Sequence, residues 1–339
     1  MTKETMINSV SNVVRSRLRK LRSWLRGSAT PGATHDADIV GAYRRLLERE
    51  PNYDELMHWN VFLANGASLK QLESSLTASY DYEQLRHRDD VVLVELGSFK
   101  IYCRSSDLDV GAQLIASQRY EPHVTKAVKD ILKPGDVFMD LGANIGYYTL
   151  LGARLVGETG KVIAFEPNAH NLVLLYASIV ENALKNVLVF PLAASDSPQV
   201  LRLQAFGSNG FLVPPAGLQL GAQYVQAVVV DEILMAERRI DAVKLDIEGY
   251  EPFAVRGMAM LLEKHRPVVL TEFSPWHIEH RSGLAPRAYL DWLASKGYGF
   301  TILKPSGDQI LAASPTAVME AWRALGSDKI HLDLLAKPS

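Results

Sequence analysis

The chain has 339 residues, of which 47% are hydrophobic and 22% charged, and its formal net charge is −2 at pH 7. At ~150 residues per domain the length predicts about two domains, and the composition excludes disordered, collagen-like and low-complexity classes. The single cysteine, Cys103, excludes an internal disulfide and a cysteine-rich zinc site, no apolar run reaches the roughly 18 residues of a spanning helix, and the near-neutral charge argues against a nucleic-acid partner.

The charge is unevenly placed. Residues 1–30 hold Lys3, Arg15, Arg17, Arg19, Lys20, Arg22 and Arg26 against one acid, Glu4, so the rest of the chain is net acidic. Ile7, Val10, Val14, Leu18, Leu21 and Leu25 recur at steps of three and four, the pattern of an amphipathic helix. Such a basic helix can lie on an anionic membrane surface or face a protein partner. The segment lacks the continuous apolar core and small-residue cleavage site of a secretory signal, so the expected location is cytoplasmic, with peripheral contact at the inner face of the membrane.

After the small-residue linker Gly27–Thr34, a helical unit is expected over 36–88. Asp36 is read as the cap of a first helix to about Glu48, Tyr53–Ala64 as a second, and Ser68 as the cap of a third to about Ser79. The run resembles a small helical domain of unassigned function found in bacterial surface and glycan-related proteins. Arg49-Glu50-Pro51, Trp59, Gly66 and Ser79–Tyr82 carry the resemblance. Trp59 and Tyr43 read more simply as its core than as a binding site.

From Val91 the pattern changes. Two short strands turn at Gly97-Ser98, and Pro122 opens a helix to Leu132. A regular alternation follows: strands at 137–140, 161–166, 187–192, 242–246 and 268–272, with helices at 145–156, 169–181, 251–264 and 286–296. Strands at 201–205 and 224–230 flank a Gly/Pro-rich insertion, and 300–304 with 330–334 close the sheet. Nearly all-apolar strands alternating with helices imply a mainly parallel, doubly wound sheet covered on both faces.

In such a sheet ligands bind at the carboxyl ends of the strands. The first strand ends Asp140-Leu-Gly142-Ala143-Asn144-Ile-Gly146. Gly142 permits a tight turn, and Gly146 lets the next helix pack. Asn144 stands where a dinucleotide loop needs its second glycine, and Asp140 repels phosphate but suits an ammonium. Glu166 ends the second strand, 20 residues after Gly146, where an acid can chelate a ribose diol. An ammonium, a ribose and no phosphate describe S-adenosylmethionine as cofactor. The fourth strand ends Lys244-Leu-Asp246-Ile-Glu248-Gly249. Alternation puts its three charges on one face if the strand persists, and that many charges in an apolar strand are costly unless paired or at a pocket.

DLGANIGYYT, AFEPN, VDEIL, KLDIEGYE and VLTEF, in that order, resemble the FkbM-type S-adenosylmethionine-dependent methyltransferases over about Val91–Lys337. The resemblance implies a class I methyltransferase (Rossmann-like) fold: an α/β seven-stranded doubly wound sheet with an antiparallel last strand, here over 91–339 and preceded by the small all-α domain. It implies O-methylation of a hydroxyl on a sugar, glycan or related natural product. It places Asp140, Gly142, Ala143, Asn144, Gly146, Glu166 and Asn168 at the cofactor, with Ala194, Ser195 and Asp196 after the third strand at the adenine edge. Gly207–Gly210 matches the family's Ser-Asn-Gly loop in part.

A sugar hydroxyl is a poor nucleophile, so a base is expected. Asp246 or Glu248 can accept the proton with Lys244 setting the field; alternatively Asp246 holds the cofactor's amino group and His277, after the fifth strand, is the base. Glu272 caps the pocket or pairs with Lys244. Asp246, Glu248 and Glu272 are hard ligands suited to magnesium, but spacing sets no site and metal independence is expected. Two other classes were weighed. An NAD-dependent nucleotide-sugar oxidoreductase or epimerase is disfavoured by Asn144 and by the lack of a clear Tyr-x-x-x-Lys pair, and a non-catalytic scaffold by the intact loop.

Overall fold

The computed structural model describes residues 35–79, 81–82, 90–215, 217, 219, 221–328 and 330–339. The basic segment 1–30 and the end of the helical unit at 83–88 lie outside them. Contacts divide the chain into two units, 1–89 and 90–339. Among the described residues no helix is long and apolar enough to cross a membrane.

The first unit comprises α1 (Asp36–Leu47), α2 (Tyr53–Ala64) and α3 (Leu69–Thr77). Ile39, Ala42, Tyr43, Leu47, Leu63, Leu72 and Leu76 form its core. Asn52 and Ser68 each close a reciprocal capping box, with Glu55 and Gln71. Asp36 is no cap: His35 precedes α1, and the Asp36 carboxylate instead accepts from Asn60 Nδ2 at 2.6 Å. Trp59 Nε1 donates to the Tyr43 hydroxyl at 2.9 Å, and the Arg49 guanidinium binds both Glu55 and Asp81 at 2.6 Å. The motif residues Arg49 and Trp59 thus hold this unit together.

The second unit opens with the hairpin β1 (Val91–Glu95) and β2 (Lys100–Arg104), followed by α4 (Val110–Ser117) and α5 (Pro122–Ile131). Then come β3 (Val137–Leu141), α6 (Tyr147–Val156), β4 (Lys161–Phe165), α7 (Ala169–Glu181) and β5 (Val187–Phe190). A second sheet contains β6 (Ala193–Ser195), β7 (Gln199–Phe206), β8 (Asn209–Val213) and β9 (Gln223–Val229), with α8 (Val230–Leu234) after it. The main sheet resumes with β10 (Ala242–Leu245), α9 (Glu251–Gly257), α10 (Ala259–His265) and β11 (Val268–Phe273). A short α11 (Pro275–His277) runs into a π-turn (Ile278–Ser282), then α12 (Pro286–Ser295), β12 (Tyr298–Leu303), β13 (Gln309–Ala312), α13 (Pro315–Arg323) and β14 (Leu332–Pro338).

The main sheet has the order β13-β12-β14-β11-β10-β3-β4-β5. Strands β5, β4, β3, β10 and β11 are parallel; β14 inserts antiparallel between β11 and β12. These seven strands reproduce the class I methyltransferase order, and β13 adds an eighth at the edge. Its residues Ile310 and Leu311 are exposed, so it carries little of the apolar signal that marks a buried strand. Within each inner strand alternate residues enter opposite cores: Met139, Ile163 and Val243 pack on one face, Phe138, Val162 and Ala242 on the other. Both faces are therefore covered by helices, and the strand ends remain as the place where polar groups can gather.

Candidate functional site

A cleft of about 320 Å³ opens at the carboxyl ends of β3, β4, β10 and β11. Chain reversal at the end of β3 shapes its floor. Gly142 has φ +82°, and a Cβ there would lie 2.0 Å from the Asp246 carbonyl oxygen, so only glycine lets the loops after β3 and β10 touch. Gly146 similarly abuts Leu175 of α7. Asn144 adopts the left-handed region at φ +52°. Its backbone N–H donates to Glu166 Oε2 at 2.8 Å and its side chain donates to Asn209 Oδ1 at 3.0 Å. No loop N–H at this position is left to cradle a phosphate.

Glu166 ends β4 and is buried. Its other oxygen accepts from Asn168 N at 2.7 Å and from Asn171 Nδ2 at 3.4 Å. Burial nonetheless pushes its pKa up to about 7, against the pull of those donors. Asn168 lines the cleft while its side chain caps α7 by accepting from His170 N. Gly142, Ala143, Asn144, Glu166 and Asn168 thus line one cavity, as expected from the sequence.

Four expected cofactor residues stand outside the lining, among them Gly146, which packs against Leu175. Asp140 is sealed behind the loop: β3 runs on through Leu141, and Asp140 Oδ2 accepts from the Thr149 hydroxyl of α6 at 2.6 Å. Ser195 is buried in the second sheet, where it accepts from Gln199, and Asp196 faces Arg256 at 3.6 Å. Of the expected run Ala194 does line the cleft, together with Leu192 and Ala193 in place of Ser195 and Asp196. The offset arises because the chain leaves the main sheet after Phe190 and enters the second sheet at Ala193.

The other half of the cleft carries the charges. Lys244 Nζ binds Asp246 Oδ2 at 2.8 Å and lies 4.7 Å over the Tyr148 ring. Burial would depress this ammonium, but Asp246, Glu121 and Asp140 outweigh it and raise its pKa. Burial likewise works against the Asp246 carboxylate, and Lys244 more than compensates, holding it below the usual range. The strand ends at Leu245, so Lys244, Asp246 and Glu248 share the cleft through a turn rather than through alternation. Glu248 sits at φ +58° and Gly249 at φ +96°. A Cβ on Gly249 would meet the His277 carbonyl oxygen at 2.5 Å. The buried Glu251 carboxylate fixes this turn by accepting from Ile247 N and Gly249 N, at 2.9 and 3.2 Å.

His277 meets that turn from the β11 side. Its Nδ1 is 3.3 Å from Glu248 Oε2 and 3.7 Å from Glu272 Oε1. Burial, reinforced by Arg281, lowers its pKa to about 4, so the imidazole is neutral at neutral pH. The π-turn brings Arg281 to Glu248 Oε2 at 2.5 Å. Burial first, then Asp246 and Glu248, push Glu272 well above the carboxylate range. Glu272 reaches His331 Nδ1 at 3.5 Å rather than Lys244. Among the described residues no group of three or more His, Cys, Asp or Glu has metal-binding geometry.

Sequence reading missed Glu121, Tyr148, His331 and Glu251. Glu121 and His331 line the cleft but do not end parallel strands. The signal for Glu121 was its place before Pro122 at a helix start; that for His331 was the charged start of the final strand.

The arrangement is a pocket with the buried Glu166 carboxyl group after β4 and a buried charged cluster beyond it. Residues 140–300 match the family described as Methyltransferase FkbM domain. No curated protein matches the chain. A crystal structure of the methyltransferase FkbM from Methylobacillus flagellatus KT is similar at 15% identity and TM-score 0.39, over 89% of this chain and 60% of that one. The precorrin-6y C5,15-methyltransferase from Geobacter metallireducens GS-15 is similar at 12% identity and TM-score 0.40, over 70% and 97%. A SAM-dependent methyltransferase from Aquifex aeolicus shows 15% identity and TM-score 0.34, over 68% and 95%. Residues 140–300, which hold most of this cleft, are thus similar to the FkbM methyltransferase domain.

Proposed function

We propose that the protein methylates a hydroxyl group of a sugar, glycan or related natural product, with His277 as the base. The observation that carries this reading is the neutral His277 imidazole in the cleft, beside Glu248 and Glu272. The residues fit the methyl donor. Glu166 offers a carboxylate to a ribose, Leu192–Ala194 an apolar edge to a base, and the Gly142–Asn144 turn a close approach without a phosphate cradle. Bound there, S-adenosylmethionine supplies an electrophilic methyl on a sulfonium.

The protein's own work is then alignment and proton removal. Asp246 is a poor proton acceptor because Lys244 stabilises its ionised form; it serves better as the anchor for an ammonium. Glu248 is held by Arg281 and orients His277. A proton taken by His277 creates an imidazolium 3.3 Å from Glu248 and 3.7 Å from Glu272, against the cost of burial. Tyr120, Tyr147 and Tyr148 wall this end of the cleft with aromatic surface suited to the apolar faces of a sugar ring.

Calorimetric titration with S-adenosylmethionine, with NAD as control, tests the donor site. Methyl incorporation into a panel of glycosides, amines and catechols then tests the acceptor. Transfer to hydroxyls that is lost in His277→Ala supports the proposal, whereas transfer only to amines, or full turnover in His277→Ala, overturns it. The peripheral membrane role of residues 1–30 is a separate proposal. Equal flotation on anionic liposomes with and without that segment would sink it.

A further inference from the structure

Glu121 lines the cleft and has an unusual backbone conformation. Its φ and ψ of 39° and 69° place a non-glycine residue in the left-handed region, directly before Pro122 opens α5. That conformation is costly and persists only where the surroundings enforce it. Here it points the chain so that Glu121 lines the cleft, with the Tyr148 hydroxyl donating to Oε2 at 2.7 Å. Tyr148 in turn lies under Lys244. Strained backbone, a built hydrogen bond and access to the cavity coincide at one carboxylate.

The charges around it do not balance. Against one ammonium, Lys244, stand the carboxylates of Asp246 and Glu121 in the cleft and of Asp140 behind its loop, and Lys244 is bound to Asp246. Glu248 is matched by Arg281. Glu121 is bonded to a neutral hydroxyl. Burial raises its pKa, Lys244 opposing and Asp246 and Asp333 adding to the effect, so an ionised Glu121 is under-compensated until a cation arrives. It shares the cleft with Glu166, on the cofactor side, and with Glu248, Glu272 and His277, on the acceptor side. The transferred methyl must lie between those two sides.

Resting on the reading of this cleft as the donor site, we propose that Glu121 is the charge partner of the donor's sulfonium. It would thereby favour the cationic donor over the product, whose sulfur is a neutral thioether. Both compounds carry the same adenosine and the same amino-acid end, so every other contact is shared. The sulfonium charge is lost in the reaction itself, and with it the attraction to Glu121, which loosens the product.

The test compares binding of S-adenosylmethionine and S-adenosylhomocysteine to the full chain and to Glu121→Gln by calorimetry. Glutamine keeps an acceptor oxygen for Tyr148 and removes only the charge. The expected result is donor binding about tenfold weaker in the variant, with product binding unchanged, as for loss of one charge-assisted contact. The unchanged product affinity is the internal control for folding. Equal weakening of both compounds, or weakening of neither, would overturn the inference while leaving the donor site intact. Failure of the unsubstituted chain to bind either compound would instead overturn the reading of the cleft, and this inference with it.

Discussion

At the scale of single residues the site is governed by desolvation. His277 has a folded-state pKa of about 4, below the ordinary value near 6.5. As the proposed base it is competent wherever it is unprotonated, so its own titration should leave kcat/KM unchanged from pH 8 down to about 5 and lower it only below that. His277→Ala should lower kcat by about 100-fold or more, with donor affinity kept, as measured by single-turnover methyl transfer and calorimetry. The same shift has a consequence for stability. The unfolded chain takes up this proton near 6.5 and the folded chain only near 4, so stability contributed above pH 6.5 is lost as pH falls through that window. After allowing for partial exposure the loss is on the order of 2 kcal/mol. The urea midpoint of the native chain relative to that of His277→Ala should therefore fall between pH 6.5 and 4, since the buried carboxyl groups with raised pKa act with the opposite sign but alike in both chains.

At the scale of elements, strand ends were the readable part. Asking what terminates each parallel strand led to Glu166, Lys244, Asp246, Glu248 and Glu272, because sheet topology brings those termini together. It failed wherever the chain had just left the sheet. Ser195 and Asp196 follow a strand in sequence, yet β6 belongs to the second sheet, and the cleft is edged by Leu192–Ala194 instead. Asp140 was read as a strand end, but one further residue of β3 turned it toward α6. Glu121 enters through Tyr148, 27 residues on, and His331 through Glu272, in contacts between separate elements for which local periodicity carries no signal. The turn after β10 also depends on a glycine. Gly249→Ala forces a Cβ against the His277 carbonyl at positive φ, and a loss of about 3 kcal/mol in denaturant unfolding is expected. In the helical unit, Asn52→Ala should cost about 1 kcal/mol by removing one half of the capping box, read from the same kind of melt.

At the scale of the whole molecule the two units have separate interiors. The helical core draws only on residues between Ile39 and Tyr82, and the cores on either side of the main sheet draw on residues from Val91 to Ala336. A chain beginning at Asp90 should therefore fold and bind S-adenosylhomocysteine within about twofold of the full chain, by calorimetry, since each unit has its own core. A loss of folding would show that the helical unit completes the second one.

The place of β14 sets an order of events during synthesis. It pairs Leu332–Pro338 between Val269–Phe273 and Tyr298–Leu303, strands that leave the ribosome well before it. Until it arrives the nascent sheet is split, with two open edges facing each other and no strand to join them. Open edges of this kind recruit strands from other chains. The same late strand brings Asp333 to His123, and the residue just before it is His331. The acceptor end of the cleft is therefore the last part to be assembled, and a growing chain cannot acquire a finished pocket before its main sheet has closed.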